Sequence, residues 1–313
     1  MFIDALKRPI GWLSAAVLLS ILLLAVFGPV LAPYDPLAKS SAVLAAPSAQ
    51  HWLGTDYLGR DVLSRVLTGS RLSVFAALEV VVIGFFVGVI PALLSVYSGR
   101  VFEWFSLRIT DTLVTIPFLV FAVAVAQLIG NGLHQAMIVV GIMISPAFFR
   151  ITRSATLAVG NTQYVQAAVL SGASPLWIVR KHVLGKIVAS IAIAAANVLA
   201  GGFVVVSSLT YLGIGIVPPH PTWGGILSSD LAYLGLKPYA PLFPAALIVI
   251  TIAALNGFAD ALRDVSRGAK RRGLAVDPTW PSGRKARPAE TPVEAPANLG
   301  SAIPAAAGWR RAP

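Results

Sequence analysis

The chain has no cysteine, which excludes disulfides and thiolate metal sites. Histidine is nearly as scarce. His51, His134, His182 and His220 are scattered, and none falls in a metal-ligand spacing such as HExxH. No phosphate-cradling GxxxxGK[ST] loop is present, so any ATP hydrolysis that drives this protein belongs to another chain. Charge is sparse as well: 12% of residues are charged, against about 25% in a typical soluble domain. By contrast 57% are hydrophobic, and they come in long blocks with the charges between them. Such a chain cannot hide its apolar surface in water and needs lipid as a solvent.

The net charge is +11, a balance that can signal nucleic acid. No basic patch interleaved with aromatic residues supports that partner. The basic residues concentrate instead after Leu262, as in a cytoplasmic tail under the positive-inside rule.

Six apolar blocks read as spanning helices of an all-α polytopic bundle. They lie near Ile10–Ala32, Ser73–Tyr97, Ile109–Ile129, Gln135–Phe149, Ile187–Ile216 and Pro241–Ala261, the fourth extending toward Val159. The first follows Lys7 and Arg8 and is too long for the roughly 7–15-residue core of a signal peptide. It is expected to be an uncleaved span, long enough for a hydrocarbon core of about 30 Å. Pro91, Pro117, Pro146 and Pro244 fall in or near spans, where neighbouring helices can satisfy the freed carbonyls. With the N-terminus inside, every Lys and Arg except Lys39, Arg60, Arg65, Arg71 and Lys237 falls on the inner side. The expectation is six spans with both termini cytoplasmic.

Three regions follow. Residues 1–72 hold the first span and an outer segment, Pro33–Leu72, that ends in an amphipathic stretch, Asp61–Leu67. Residues 73–268 hold five spans and a long inner loop at about 151–186. Residues 269–313 read as a disordered cytoplasmic tail, rich in Pro, Ala and Gly and poor in periodic apolar residues. Its Lys270–Arg272 cluster reads as a topology anchor, with contact to anionic headgroups as the alternative.

The inner loop reads as two short helices. Asn161 or Thr162 is placed to cap the first, Gln163–Ser171. Gly172 suits the left-handed residue that ends it. Ser174 is placed to cap the second, with Pro175 at its first turn and Leu176–Leu184 beyond. Such an elbow can act as a lever for a partner that grips its first helix, which Ala167 and Ala168 keep thin. It can equally be a connector that packs on its own bundle.

The run Tyr164-Val-Gln-Ala-Ala-Val-Leu-Ser-Gly172-Ala-Ser-Pro-Leu-Trp-Ile-Val-Arg-Lys-His182-Val-Leu184 resembles the EAA loop of binding-protein-dependent ABC importer permeases. Ala167, Ala168, Gly172, His182 and Leu184 match that pattern, and Ala173 follows the glycine. Gln166 stands where the family usually has Glu, and Gly185 where it usually has Pro. Gln keeps the shape and one acceptor but loses the charge, so any salt bridge at that point is gone. The resemblance implies a type I importer fold and a coupling helix that docks on an ATPase subunit.

A second, ordered set resembles the second (C-type) permease of dipeptide, oligopeptide and nickel importers. It comprises Gly54-Thr-Asp56-Tyr-Leu-Gly59-Arg60-Asp61-Val-Leu-Ser-Arg65, Gly69-Ser-Arg71-Leu-Ser73, Arg108-Ile-Thr-Asp111, Ile116-Pro117 and Arg150-Ile-Thr-Arg153. Tyr211-Leu-Gly213-Ile-Gly215, Pro218-Pro219, Pro221, Trp223-Gly224 and Asp260-Ala-Leu-Arg263-Asp264 complete it. The tail has no counterpart, and Val265-Ser-Arg replaces the usual Leu-Asp-Pro. The implied partners are a second permease, two ATPase subunits that bind the ATP, and an extracytoplasmic binding protein. The implied place is a bacterial inner membrane.

Each motif also has a physical reading. Gly54 and Gly59 permit turns. Asp56 and Asp61 lie within reach of Arg60 and Arg65 and are expected to fix the outer segment on the bundle rather than to touch solute. The proline-rich loop before the last span reads as an outer cap, with Trp223 at the membrane interface. Asp260 and Arg263 can pair on one helical face, as can Arg108 and Asp111.

Polar groups inside spans are functional candidates. Glu79 either faces a water-filled pathway, where it would attract a peptide's ammonium group, or lies only about 9 Å deep and reaches headgroup water. Asn197 and Asn256 either bond between helices or line the pathway. The expected function is one half of the pathway of an ATP-driven importer for peptide-like solutes. The alternatives are an ion-coupled carrier using Glu79 or Asp111, and a scaffold that moves no solute.

Overall fold

The computed structural model describes residues 2–129, 132–215 and 219–274. Among these residues the chain is helical and loop, with one isolated antiparallel bridge between Thr55 and Asp61. It divides at Arg271/Arg272 into two units. Of the segment read as a disordered tail, 269–313, the first residues to Leu274 continue the last helix, and 275–313 lie outside the described residues.

A short helix α1 (Phe2–Leu6) precedes α2 (Pro9–Leu31). Pro9 sits in the first turn of α2, where its missing N–H costs nothing. Then come α3 (Val62–Tyr97), α4 (Arg100–Thr115), α5 (Phe118–Ile129) and α6 (Leu133–Gly160). After α7 (Gln163–Leu170) and α8 (Pro175–Ile178), a π-helical turn at Val179–Val183 leads into α9 (Leu184–Tyr211). The last two are α10 (Trp223–Leu231) and α11 (Leu242–Leu274).

Among the described residues five stretches are long and apolar enough to cross a membrane: α2, α3, α6, α8 through α9, and Leu242–Arg267 of α11. The expected third span, Ile109–Ile129, is not one helix. It is divided between α4 and α5 at Ile116-Pro117, where Ile116 is extended, with φ −77° and ψ 130°. The ring of Pro117 clashes with a helical residue before it, and that steric term overrides the continuous apolar run.

Two other boundaries move. The amphipathic stretch Asp61–Leu67 is no separate element but the N-cap and first turns of α3. The Asp61 carboxylate accepts from the Ser64 N–H at 2.8 Å and from its hydroxyl at 2.7 Å. The inner loop starts later than expected, because α6 runs on to Gly160.

The core mixes small residues with a few large ones. Ala25 of α2, Ala77 and Val80 of α3, Met137 and Val140 of α6, Phe203 and Leu209 of α9 and Trp223 of α10 form one buried cluster. Between helices in lipid there is little hydrophobic driving force, and close packing takes its place. α3 and α6 pack most intimately. A Cβ placed on Gly88 would lie 2.5 Å from the Ser145 carbonyl oxygen, and one on Gly141 2.7 Å from Ile83 Cβ. Only glycine lets these backbones approach so closely. The outward faces remain apolar: Leu19, Leu23 and Phe27 of α2 and Val82, Phe86 and Ile90 of α3 are all exposed. In water that surface would be prohibitive, and lipid removes the penalty.

Candidate functional site

The elbow between α6 and α9 is built from local chemistry. Gly172 has φ +78°, the left-handed region that glycine enters without a Cβ clash. Its N–H donates to the Val169 carbonyl and that of Ala173 to the Ala168 carbonyl, both at 3.0 Å. This is the double bond pattern that closes a helix C-terminus. Ser174 caps α8, its hydroxyl oxygen accepting from the Trp177 N–H, and Pro175 occupies the first turn as expected. At the other end Thr162 holds the N-cap position, but its hydroxyl donates back to the Val159 carbonyl and does not cap α7. Asn161 ends α6 instead of capping α7.

Packing fixes the elbow to the bundle. Val165, Ile178, Val183 and Ile187 form a buried cluster against Leu93 and Tyr97 of α3 and Ala155 of α6. His182 lies between Trp177 (ring centroids 5.1 Å apart) and Tyr164 (5.7 Å), linking α7, α8 and the π-helical turn. Ala168 and Ala173 turn toward the bundle, while Gln166, Ala167, Gly172, Leu184 and Gly185 are exposed. The free face is apolar at its tip: Leu170 is 89% and Leu176 78% exposed. Apolar side chains so exposed on a rigid turn are what a partner's groove would cover. Tyr164 and Trp177 carry no role in the sequence reading; two aromatic residues preceding His182 within one run were the available signal.

Just beyond the elbow, α6 is pinned by charge. Arg153 donates to Ser95 Oγ at 2.8 Å and to Glu103, joining α6 to α3 and α4. Arg150 bonds Asp111 at 3.0 Å. The expected Arg108–Asp111 pair is therefore replaced: Arg108 instead lies over the Trp104 ring, 5.7 Å from its centroid. Arg263 does bond Asp260 at 2.5 Å, and Arg8 reaches Asp264 at 2.8 Å.

The second constellation lies in segment 33–61 and the start of α3. Gly54 and Gly59 have φ +75° and +76°, turns that only glycine makes cheaply. Asp56 is the hub. Its Oδ1 accepts from the Leu58 and Arg60 N–H groups, and its Oδ2 from Arg60 Nε at 2.7 Å. Arg65 Nε lies 3.4 Å from the same Oδ2. Both arginines thus converge on Asp56, while Asp61 caps α3 and meets His51 Nδ1 at 2.9 Å. The sequence left that division of labour undecided.

Lys237 and Asp230 enter this cluster from far along the chain. Buried Lys237 donates to the Thr55 carbonyl at 2.6 Å. Burial pushes the Lys237 ammonium below its usual value. Burial, then the nearby Asp56 charge, pushes the Asp230 carboxyl up to about 6. Neither residue was singled out by sequence, since both stand alone in apolar surroundings. Trp223, expected at the membrane interface, is fully buried instead. Its backbone N–H donates to Ser73 Oγ and its indole N–H to the Val66 carbonyl, both at 3.0 Å. Those two bonds satisfy donors that would otherwise have sought the interface.

Of the polar candidates within spans, Glu79 pairs with His134 Nδ1 at 2.9 Å across α3 and α6. Asn197 donates to the Ile193 carbonyl one turn earlier in its own helix, so its amide does not bridge helices. Asn256 is exposed on α11.

Known proteins resemble this chain. Residues 81–271 match the family described as binding-protein-dependent transport system inner membrane component. Residues 3–47 match the N-terminal TM domain of oligopeptide transport permease C. The chain is 34% identical over 260 residues to a glutathione transport system permease protein GsiD of Escherichia coli O1:K1, covering 82% of this chain and 86% of that one. A GsiD of Pectobacterium atrosepticum is 31% identical over 261 residues, covering 83% and 87%. A solved chain of the MetNI methionine ABC transporter in inward facing conformations shares the fold, with a TM-score of 0.53 at 22% identity over 65% of this chain and 96% of that one. None of these likenesses supports the ion-coupled carrier. The chain belongs to the family of binding-protein-dependent inner membrane transport components, and it is a permease subunit of an ABC importer.

Proposed function

We propose that this permease forms half of a translocation pathway for peptides and similar small solutes, glutathione among them. A second permease completes the pathway, two ATPase subunits drive it, and an extracytoplasmic binding protein delivers the solute. Both termini and the elbow face the cytoplasm, and segment 33–61 faces out. The elbow docks on an ATPase, with Ala167 and the exposed Leu170 and Leu176 in its groove. ATP-driven closure pushes the elbow, and the bundle opens outward; nucleotide release lets it open inward. Glu79, held by His134, gives the pathway its anionic point.

The observation that carries this reading is the form of the elbow: a rigid, internally capped turn with a bare apolar tip. Its root is packed onto α3 and α6, so a push at the tip reaches the spans. The solute class rests on the GsiD likeness.

A Gly172→Asp importer, reconstituted with its partners, tests the lever. Nothing lies within 4 Å of the Gly172 Cβ position, so the cost is left-handed backbone strain of about 1–2 kcal/mol and the bundle still folds. ATP hydrolysis should persist while solute uptake is lost. Unchanged uptake would sink the lever.

A further inference from the structure

Arg60 and Arg65 line a cavity of about 200 Å³ where the turn after Asp56 meets α10 and the end of α9. Tyr57, Tyr211, Ser228 and Ser229 add hydroxyls to its wall. That volume is below the roughly 300–1,000 Å³ that encloses a whole drug-sized ligand, so the cavity suits one end of a solute.

Its lining is cationic: among the described residues Arg60 and Arg65 reach its wall and no carboxylate does. Around it Arg60, Arg65 and Lys237 face Asp56 and Asp230, while Asp61 is bonded to His51 and Ser64. Lys237 is turned to the Thr55 carbonyl, and Arg60 is committed to Asp56 and lies over Tyr57, 5.5 Å from the ring centroid. Arg65 is left over. Its side chain is 8% exposed and its Nε lies 3.4 Å from Asp56 Oδ2. Its Nη1 is buried with no hydrogen-bond partner among the described residues. A buried guanidinium N–H without a partner is costly, and native structures seldom keep one without use. Asp230 Oδ2 is likewise unpaired, so the nearby carboxylate does not supply the missing bond.

We propose that this cavity binds a carboxylate of the transported solute, such as a peptide C-terminus, with Arg65 as its main donor and Arg60 beside it. Guanidinium is suited to the task, because its planar fork matches a carboxylate and stays charged. The cationic lining favours an anion over the zwitterion's ammonium end. The inference rests on the peptide-import reading and adds the chemical group that the outer segment recognises.

The test is equilibrium binding to the complete importer in lipid nanodiscs, without its binding protein. The probes are alanyl-alanine and glutathione, each compared with its ethyl ester. The free acids should bind at least about tenfold more tightly than the esters, the worth of one charge-assisted hydrogen bond. Arg65→Gln should erase the difference, and Arg65→Lys should restore part of it. Ser228→Leu, which fills the cavity and leaves the ion pairs alone, should weaken the acids in the same way. Equal affinity for acid and ester, or an acid preference that survives Arg65→Gln, would overturn the proposal. So would loss of binding-protein stimulation in Arg65→Gln with no acid preference in the wild type, since the anion would then be an acidic side chain of that protein. Peptide uptake by the wild-type complex is read separately: its absence removes the import reading, whereas uptake without acid preference removes this inference alone.

Discussion

The indole N–H of Trp223 donates to the main-chain carbonyl of Val66 at 3.0 Å, across more than half the length of the chain. The ring is fully buried and packs against Phe203. One side chain thus fastens α10 to the first turns of α3. Replacing Trp223 with Phe keeps most of the volume and deletes the donor, and should cost about 1–2 kcal/mol. Trp223→Ala also leaves a cavity and should cost about 3–5 kcal/mol. Thermal unfolding of the two variants in mild detergent checks the order. Equal losses would mean that the indole donor alone matters there.

The glycines between α3 and α6 predict a sharper contrast. Gly88→Leu must push the Ser145 carbonyl and Phe148 apart from α3, and should abolish assembly of the folded protein. Gly201 has open space at its Cβ position, so Gly201→Ala should be neutral or stabilise α9 by up to about 1 kcal/mol. Size-exclusion profiles of the two proteins decide it.

Asp230 makes stability depend on pH. Its carboxyl titrates at about 6 in the folded chain, raised from an ordinary 3.8 by burial and by Asp56. The folded state therefore holds a proton that the unfolded chain releases. Between about pH 4 and 6 this contribution favours the fold at the acid end and is lost as pH rises. Subtracting the melting profile of Asp230→Asn from that of the native protein should leave a downward slope across that window. A flat difference would contradict the raised value.

Glu79 separates stability from transport. Its partner His134 is 78% exposed, and pairs of that kind contribute about 0–1 kcal/mol. Glu79→Gln should melt within about 1 kcal/mol of the native protein yet slow uptake of peptides that carry a free ammonium group. N-acetylated peptides should be unaffected. Equal slowing of both would remove Glu79 from solute contact.

How much of this was legible follows the range of the interactions. The turn of the elbow could be read from Gly172, Ser174 and Pro175, which act within one turn of themselves, whereas the expected cap at Asn161 or Thr162 and the continuous helix over Leu176–Leu184 did not form. The start of α3 at Asp61 is also legible in its Asp-x-x-Ser cap, although the continuous apolar run begins only near Ser73. Pro117 carried the break before α5 in the same way. What could not be read was long range. Asp111 chose Arg150 over the nearer Arg108, and both arginines of the outer motif converged on Asp56. The burial of Trp223 and Lys237 depends on partners more than a hundred residues away, and no local pattern announces them.

The central claim is that the elbow couples this permease to its ATPases. It is tested most directly by affinity purification of the tagged protein in mild detergent, with residues 167–172 intact or replaced. The account predicts that the intact protein brings down ATPase chains and a second permease, and that replacement releases the ATPases while the second permease stays bound. Recovery of the ATPases in equal amount from both proteins would contradict it.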